Sequence, residues 1–182
     1  HFEKPHPAHS FKVGFLKQGT RRVLVDVDQC PIATPAINEA MLPAKQRLQG
    51  SLHGLKKGGT LLFRDTNKSI STDPNEFVQE RVGNLTFQFR AGEFFQNNPF
   101  ILTDLVNYVI QQSQPQESSF LIDAYCGSGL FGISAASYFK KVIGIEISRE
   151  GFLGAQANAE LNRITNTEFI LGDASSIFDT ID

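Results

Sequence analysis

The segment Phe120–Ser148 constrains the fold of this 182-residue chain more than any other stretch. It opens with the short apolar run Phe120–Ile122, which is typical of a buried strand in a parallel sheet. Glycines at 127 and 129 then allow a tight turn that a ligand can approach closely, and a helical, Ala- and Ser-rich segment follows. A second apolar run ends on Glu146. This order of strand, glycine loop, helix, strand and acid predicts a nucleotide-binding half of an α/β fold.

Two kinds of nucleotide cofactor fit this unit. Gly127, Gly129 and Gly132 satisfy the G-x-G-x-x-G spacing of dinucleotide-binding folds, which alone is a weak signal. Asp123 argues against a dinucleotide, because its charge would repel a pyrophosphate seated on the helix N-terminus. S-Adenosylmethionine has no phosphate, and a carboxylate attracts its ammonium and sulfonium groups. Glu146 can bind ribose hydroxyls in either case. The residues favour S-adenosylmethionine, with a dinucleotide or a purely structural glycine loop as alternatives.

The remaining composition excludes several classes of protein. No apolar run is long enough to span a bilayer, so no membrane partner is expected, and nothing points to a protein partner. Two cysteines, Cys30 and Cys126, are too few for a disulfide framework or a metal site. Their presence favours an intracellular location without distinguishing cytoplasm, nucleus or mitochondrion. Basic residues exceed acidic ones in residues 1–80, so this part could face a polyanion, although an ordinary solvated surface explains the excess equally well.

Residues 1–90 are predicted to form a small α+β domain. A hairpin is expected where two apolar runs flank Lys17–Thr20. A helix is expected over residues 36–49, kinked or split at Pro43 because proline lacks the backbone N–H.

Residues 91–182 are predicted to form the N-terminal part of a Rossmann-like methyltransferase core. Asn98 and Pro99 are a suitable cap and first residue for a helix that ends near Gln112. The nucleotide-binding unit follows, and then a helix over residues 149–163 and a third strand over residues 167–171. A doubly wound sheet needs more than three strands, so we expect the core to be incomplete.

Two further residues are candidates for the cofactor site. Gln96 lies just before a helix, between an aromatic pair and an asparagine pair. Core packing is expected for two of the three nearby phenylalanines, Phe94, Phe95 and Phe100. Asp173 follows the third strand, from where an acid can reach an adenine amino group, although a turn or a helix cap is an equally good interpretation of this residue.

Several motifs together resemble the RNA 5-methyluridine methyltransferases, most closely the eukaryotic, fungal-type tRNA (uracil-5-)-methyltransferases. They are Phe-Phe-Gln-Asn-Asn at 94–98, Asp-Ala-Tyr-Cys-Gly-Ser-Gly-Leu-Phe at 123–131, Gly-Ile-Glu at 144–146 and Asn-Ala-Glu-Leu-Asn at 158–162. Gln-Cys-Pro-Ile-Ala at 29–33 and Ile-Asn at 37–38 also fit the central domain of that family. The resemblance covers nearly the whole chain.

The resemblance implies S-adenosylmethionine as cofactor and tRNA as substrate. It implies cofactor contacts from Gln96, Tyr125, Glu146 and Asp173, with Tyr125 beside the methyl donor, and it places Gly127 and Gly129 at the methionine end. Cys30 matches the last ligand of an iron–sulfur cluster in bacterial ribosomal-RNA members. The three other cysteine ligands are missing from this sequence, so no cluster is expected.

The mechanism that the resemblance implies needs a cysteine thiolate that attacks C6 of uracil, after which C5 takes the methyl group and a carboxylate base helps to remove the C5 proton. In this family both residues lie downstream of an Asp-Pro-Pro-Arg-type motif, and Cys126 is not the nucleophile. No catalytic residue is therefore expected among residues 1–182, which should be silent by themselves. The alternatives are an NAD(P)-binding oxidoreductase half-domain and a non-catalytic RNA-binding fragment that uses the basic N-terminal part.

Overall fold

A computed structural model describes residues 1–3, 11–51, 57–66 and 68–177 of the chain. The chain divides into two compact units, His1–Glu76 and Phe77–Asp182. Within the described ranges, no helix combines the length and the apolar composition needed to cross a lipid bilayer.

The first unit contains two short antiparallel strand pairs and one long helix. Strand β1 (Gly14–Leu16) pairs with β2 (Leu24–Asp26), and β3 (Arg64–Asp65) pairs with β4 (Ile70–Ser71). A hydrogen bond of 3.0 Å from the Thr20 amide to the Lys17 carbonyl closes the turn between β1 and β2. The predicted hairpin is therefore confirmed.

Helix α1 (Pro35–Gly50) begins at Thr34, whose side chain accepts a hydrogen bond from the Ile37 amide at 3.3 Å. The helix runs unbroken through Pro43, so the predicted alternative of two short helices is wrong. Proline removes one backbone hydrogen bond, and the tertiary contacts of the next turn hold the helix. The nearly buried Lys45 ammonium pairs there with two carboxylates of the β2 region, Asp26 at 2.8 Å and Asp28 at 2.9 Å.

The second unit contains an antiparallel hairpin and a parallel sheet. The hairpin consists of β5 (Phe77–Val82) and β6 (Leu85–Arg90). A 3₁₀ turn (Pro99–Ile101) leads into α2 (Leu102–Gln112). The sheet has the order β7–β8–β9, with strands β7 (Phe120–Asp123), β8 (Lys141–Glu146) and β9 (Thr167–Leu171). Helices α3 (Leu130–Ala135) and α4 (Arg149–Leu161) connect the strands, and α5 (Ala174–Ile177) follows β9. The predicted α/β class with a parallel sheet is confirmed.

Strand β7 lies where it was predicted, but it is not buried. Phe120 is 56% exposed and Ile122 is 38% exposed, whereas Val142 and Ile145 of β8 are completely buried. The difference follows from position, because β8 has a neighbour on each side and β7 pairs with β8 alone among the described residues. An apolar run in the sequence predicts a strand, but it does not show whether that strand lies in the centre or at the edge of the sheet.

A cluster of three aromatic rings packs the hairpin against the segment that follows it. The Phe95 ring stacks on Phe89 with their centroids 4.2 Å apart, and its centroid lies 6.1 Å from that of Phe87. All three side chains are buried, whereas Phe94 and Phe100 are 78% and 62% exposed. The expectation that two of the three phenylalanines at 94, 95 and 100 pack in the core is wrong, since one does.

The division between the units differs from the predicted domain boundary near residue 90. The hairpin β5–β6 belongs to the second unit, because side chains of α4 bond to the backbone of β6. Asn158 bonds to Gln88, and Asn162 bonds to Thr86. These contacts join residues about 70 positions apart, which a division read from composition does not detect.

We expect Phe95→Ala to destabilise the protein by about 3–5 kcal/mol, since it removes a completely buried ring from a packed cluster. Phe94→Ala, the matched change one residue earlier, should alter the stability by no more than about 0.5 kcal/mol, because that ring is mostly in solvent. Urea unfolding of both variants measures the difference. Equal losses of stability would contradict this description of the core.

Candidate functional site

The carboxyl ends of the three parallel strands bring several predicted site residues to one edge of the sheet. Strand β7 ends on Asp123, β8 ends on Glu146, and Asp173 comes two residues after β9. The glycine loop, residues 124–129, leaves the sheet at this edge and leads into α3. In open parallel sheets, ligands bind beyond the carboxyl ends of the strands.

The Asp123 carboxylate is tied to the start of α3. Its Oδ2 accepts a hydrogen bond from the Gly132 amide at 3.0 Å, and the Tyr125 amide also donates to this carboxylate. The pKa of Asp123 lies above its usual value: burial raises it, the two hydrogen bonds oppose this, and the charge of Glu146 adds to the increase. A Cβ atom at residue 132 would lie 3.3 Å from Oδ2 of Asp123 and 3.1 Å from Val142, so glycine permits this close contact.

Glu146 supports the other end of the loop. Its Oε2 accepts a hydrogen bond from the Gly127 amide at 2.8 Å, and its Oε1 accepts one from the Ser148 amide at 2.7 Å. Each carboxylate oxygen has two lone pairs, so each can accept one more hydrogen bond. The half-buried Glu146 can therefore bind hydroxyl donors or a cation without giving up its contact with the loop.

Three amides of the glycine loop and of the start of α3 already have acceptors within the protein. The amides of Gly127 and Gly132 donate to the carboxylates of Glu146 and Asp123. The Gly129 amide donates to the Cys126 carbonyl at 2.8 Å. Two of these three acceptors carry negative charge when ionised. A pyrophosphate at this helix N-terminus would displace them or be repelled by them, which argues against a dinucleotide.

The two glycines of the loop are needed for different reasons. Gly127 has φ +52°, and a Cβ atom there would meet nothing within 4 Å, so its backbone conformation favours glycine and there is open space beside it. Gly129 has φ +87°, and a Cβ atom there would lie 2.6 Å from Cδ1 of Ile133. The loop therefore combines an open position at 127 with a tightly packed one at 129.

Cys126 points into the protein. Its side chain is 6% exposed, and its amide donates to the Ile145 carbonyl at 3.0 Å. Burial raises the pKa of its thiol to about 12, and the charges of Asp123 and Glu146 contribute to the increase. Since the thiolate is the nucleophilic form, this residue is not suited to attack a substrate.

The other predicted site residues are arranged differently. The Tyr125 side chain is 78% exposed beside the loop. Asp173 caps α5, because its Oδ1 accepts hydrogen bonds from the Ser175 amide at 2.9 Å and from the Ser175 hydroxyl at 2.8 Å. These bonds lower the pKa of Asp173. Gln96 is half-buried and directly follows Phe95 in the chain. Cys30 lies in the first unit, where its backbone bonds to the side chain of Asn38.

The sequence alone assigns no role to Asn158, whose side chain bonds directly to the glycine loop. Its Nδ2 donates to the Ser128 carbonyl at 2.9 Å, and its side chain is completely buried. A signal was present in the sequence, since Asn158 lies on the packing face of α4 with Ala155 and Ala159. A buried amide on such a face needs hydrogen-bond partners.

The family profile and two curated relatives agree on one family. The family profile described as tRNA (Uracil-5-)-methyltransferase matches residues 8–181. A tRNA (uracil(54)-C(5))-methyltransferase of Schizosaccharomyces pombe is 39% identical, over 93% of this chain and 34% of that protein. The protein of the same description from Saccharomyces cerevisiae is 33% identical, over 92% of this chain and 33% of that protein. The chain thus spans about a third of the length of these curated relatives.

Solved structures share the fold at low sequence identity. The tRNA (uracil-54, C5)-methyltransferase of Pyrococcus abyssi, solved in complex with S-adenosyl-L-homocysteine, superposes with a TM-score of 0.61 at 18% identity, over 95% of this chain and 54% of that one. A putative transferase of Pyrococcus horikoshii superposes with a TM-score of 0.54 at 16% identity, over 76% of this chain and 52% of that one. At these identities the likeness establishes the fold.

We expect iodoacetamide to label Cys30 in the native protein and to leave Cys126 unmodified. A thiol with a pKa of about 12 is ionised to about one part in 10⁴ at pH 8, and its burial also blocks the reagent, whereas Cys30 is partly exposed. Peptide mass spectrometry after labelling reports both sites, and Cys30→Ala isolates Cys126. Labelling of Cys126 in the native state at the rate seen after unfolding would contradict the structure.

Proposed function

We propose that this chain, which belongs to the tRNA (uracil-5-)-methyltransferase family, binds S-adenosylmethionine for methyl transfer to C5 of uridine in tRNA. The chain corresponds to about a third of its curated relatives, and we assign to it the cofactor-binding part of the reaction. An intracellular site of action is consistent with its two free thiols.

The observation that carries this proposal is the pair of carboxylates holding the glycine loop. Asp123 and Glu146 accept hydrogen bonds from the loop and from the start of α3, so the site is negative where a dinucleotide site offers amides to phosphate. S-Adenosylmethionine suits this charge, because it brings an ammonium, a sulfonium and two ribose hydroxyls and no phosphate. The same geometry disfavours the NAD(P) alternative.

The residues of the loop edge suit separate parts of the cofactor. Glu146 keeps one acceptor position on each oxygen, which matches the two ribose hydroxyls. Asp123 supplies negative charge for the cationic methionine end, and the open space beside Gly127 allows that end to approach the backbone. When bound, the cofactor supplies an electrophilic methyl group.

Three more residues are proposed as cofactor ligands on the strength of the family resemblance. Tyr125 has an exposed ring at the loop, which suits contact with a bound molecule. Asp173 has one carboxylate oxygen engaged in capping α5, and we propose its other oxygen as an acceptor for the adenine amino group. Gln96 directly follows Phe95, whose buried ring stacks on Phe89, so the backbone at Gln96 is held in place by its neighbour.

We assign no catalytic nucleophile to this chain. Covalent activation of uracil needs a thiolate, and the Cys126 thiol is buried and protonated at neutral pH. Cys30 matches the position of a cluster ligand in bacterial ribosomal-RNA members of the resembled family, and the resemblance gives it no catalytic role. The residues of this chain therefore hold and orient the methyl donor.

The hairpin β1–β2 is our candidate for part of the tRNA contact. Lys17, Arg21 and Arg22 are exposed at its tip, and no ion pair is found for them among the described residues. Phe15 and Val25 are paired across the strands and are about half exposed, at 51% and 47%. Cations beside exposed apolar side chains suit a nucleic-acid backbone with unstacked bases.

The natural protein that carries this sequence should bind S-adenosylhomocysteine in preference to NAD⁺, and its affinity for S-adenosylmethionine should fall on acidification. The attraction requires ionised Asp123, whose pKa is raised. The affinity for S-adenosylmethionine should be highest above the pKa of Asp123 and should fall as the pH decreases through that pKa. Because this pKa is raised, the fall should occur at a higher pH than it would with an aspartate of ordinary pKa. Calorimetry from pH 8 downwards measures this, and Asp123→Asn should remove that part of the pH dependence. Binding of NAD⁺ without binding of S-adenosylhomocysteine would reverse the assignment.

Replacing Lys17, Arg21 and Arg22 together by alanine should weaken tRNA binding. The slope of log K against log[salt] should become shallower by roughly one unit for each of these cations that contacts a phosphate. Filter binding on an unmodified tRNA transcript at several salt concentrations measures both effects. The matched control replaces three other exposed cations, Lys68, Lys140 and Arg163. Affinity for S-adenosylhomocysteine should stay unchanged in both variants. Equal losses of tRNA affinity in the two variants would remove the hairpin from the interface.

A further inference from the structure

Two asparagines one turn apart on α4 bind the backbone of β6 in the same way. The Asn162 amide accepts from the Thr86 N–H at 2.9 Å and donates to the Thr86 carbonyl at 2.7 Å. The Asn158 amide accepts from the Gln88 N–H at 2.7 Å and donates to the Gln88 carbonyl at 3.1 Å. Four helical residues span about 6 Å and two strand residues about 6.7 Å, so the two spacings match. The two side-chain amides thus bond to the N–H and carbonyl groups of β6 that the backbone of a neighbouring strand would otherwise bond.

The two asparagines differ in where their remaining amide hydrogen goes. Asn162 donates it to the Asn158 carbonyl at 2.8 Å, within its own helix. Asn158 donates it to the Ser128 carbonyl at 2.9 Å, in the glycine loop. Both hydrogens and the oxygen of the Asn158 amide are therefore used, and the side chain is completely buried. One amide thus joins three segments of the second unit: α4, β6 and the loop.

The hydrogen bond to the Ser128 carbonyl restrains the loop where its backbone is most easily rotated, between two glycines. Ser128 lies between Gly127 and Gly129, which both have positive φ and can adopt many other backbone conformations. The Glu146 carboxylate holds the Cys126–Gly127 peptide, one residue before Ser128, through the Gly127 amide. Asn158 holds the Ser128–Gly129 peptide through the Ser128 carbonyl. Without that donor, a buried carbonyl would lose its partner next to a residue that turns easily.

The same amide connects the loop to the segment that carries Gln96. Gln88 is in β6, and the chain continues from β6 through Phe95, which stacks on Phe89, to Gln96. The described contacts show no direct bond between Gln96 and the loop. The connection through Asn158 and β6 holds the two parts of the proposed cofactor site in one framework.

We propose that Asn158 is a positioning residue for the cofactor: its side-chain amide fixes the Ser128–Gly129 peptide and ties the glycine loop to β6. This inference rests on the proposed binding of S-adenosylmethionine. Asn158 does not touch the cofactor in this proposal and acts through the backbone of the loop.

The chain offers a matched control in Asn162. Asn158→Ala and Asn162→Ala each remove one amide that pairs with one residue of β6. In urea unfolding Asn158→Ala should lose the more stability, because it also leaves the buried Ser128 carbonyl without a donor, so cofactor binding is compared between folded variants. The loop contact is lost in the first variant alone. A purely structural role predicts equal effects on cofactor binding, and the positioning role predicts unequal ones.

The test measures S-adenosylhomocysteine binding by calorimetry, and the KM for S-adenosylmethionine and kcat with tRNA, in the natural protein that carries this sequence. Asn158→Ala should weaken binding by about tenfold or more, the effect of losing a hydrogen bond that shapes the site, with the KM for S-adenosylmethionine rising in parallel. Asn162→Ala should change either constant by no more than about threefold. Circular dichroism confirms at the assay temperature that each variant is folded.

Several outcomes would overturn the positioning role. Equal shifts in the two variants would show that Asn158 acts through stability alone, as would a folded Asn158→Ala variant with wild-type affinity. If Asn158→Ala does not fold, Asn158→Ser and Asn162→Ser replace the alanine pair. Failure of both Asn158 variants to fold, while the Asn162 variants fold, would also count against it. Absence of S-adenosylhomocysteine binding in the wild type would instead contradict the proposed function.

Discussion

The carboxylates at the ends of β7 and β8 accept hydrogen bonds from backbone amides of the glycine loop and of α3, and the proposed cofactor edge of the second unit depends on these contacts. A loop with two residues in the left-handed region has few regular hydrogen bonds of its own. Asp123 and Glu146 replace them. The raised pKa of Asp123 shows that burying this carboxylate is costly, and the bonded amides of Gly132 and Tyr125 offset part of that cost. The loop is therefore shaped before a ligand arrives, which favours tight binding.

The other side of the loop is held without charge. Asn158 uses a neutral amide to link the Ser128 carbonyl to β6, and the ring of Phe95 stacks on the same strand. The glycine loop and the start of α3 are thus held by two carboxylates, Asp123 and Glu146, and by one neutral amide, that of Asn158. The arrangement explains why the hairpin β5–β6 belongs to the second unit, although its sequence resembles the strand-rich part before it.

Local signals in the sequence predicted much of this structure. The strand–loop–helix order at 120–146 and the cap at Asn98 follow from patterns within a few residues, and both are present. The exposure of β7 and the role of Asn158 depend on partners far along the chain, 30 residues away in the case of Ser128. Asp173 could not be resolved from sequence because capping and ligand binding both use a carboxylate at a helix start. Here the structure shows the cap, and the ligand role stays a prediction.

The half-exposed outer strand β7 has a consequence for handling the protein. Among the described residues no strand covers its free edge, and the apolar side chains of Phe120 and Ile122 are exposed on one face of the same strand. An unpaired edge of this kind is a template on which strands of other molecules can add, and proteins usually protect such edges with charge, proline or a covering segment. Lys140, whose ammonium lies 5.4 Å from the centre of the Phe120 ring, places one charge beside it. Concentrated solutions of these 182 residues alone would therefore tend towards intermolecular strand addition and aggregation at this edge.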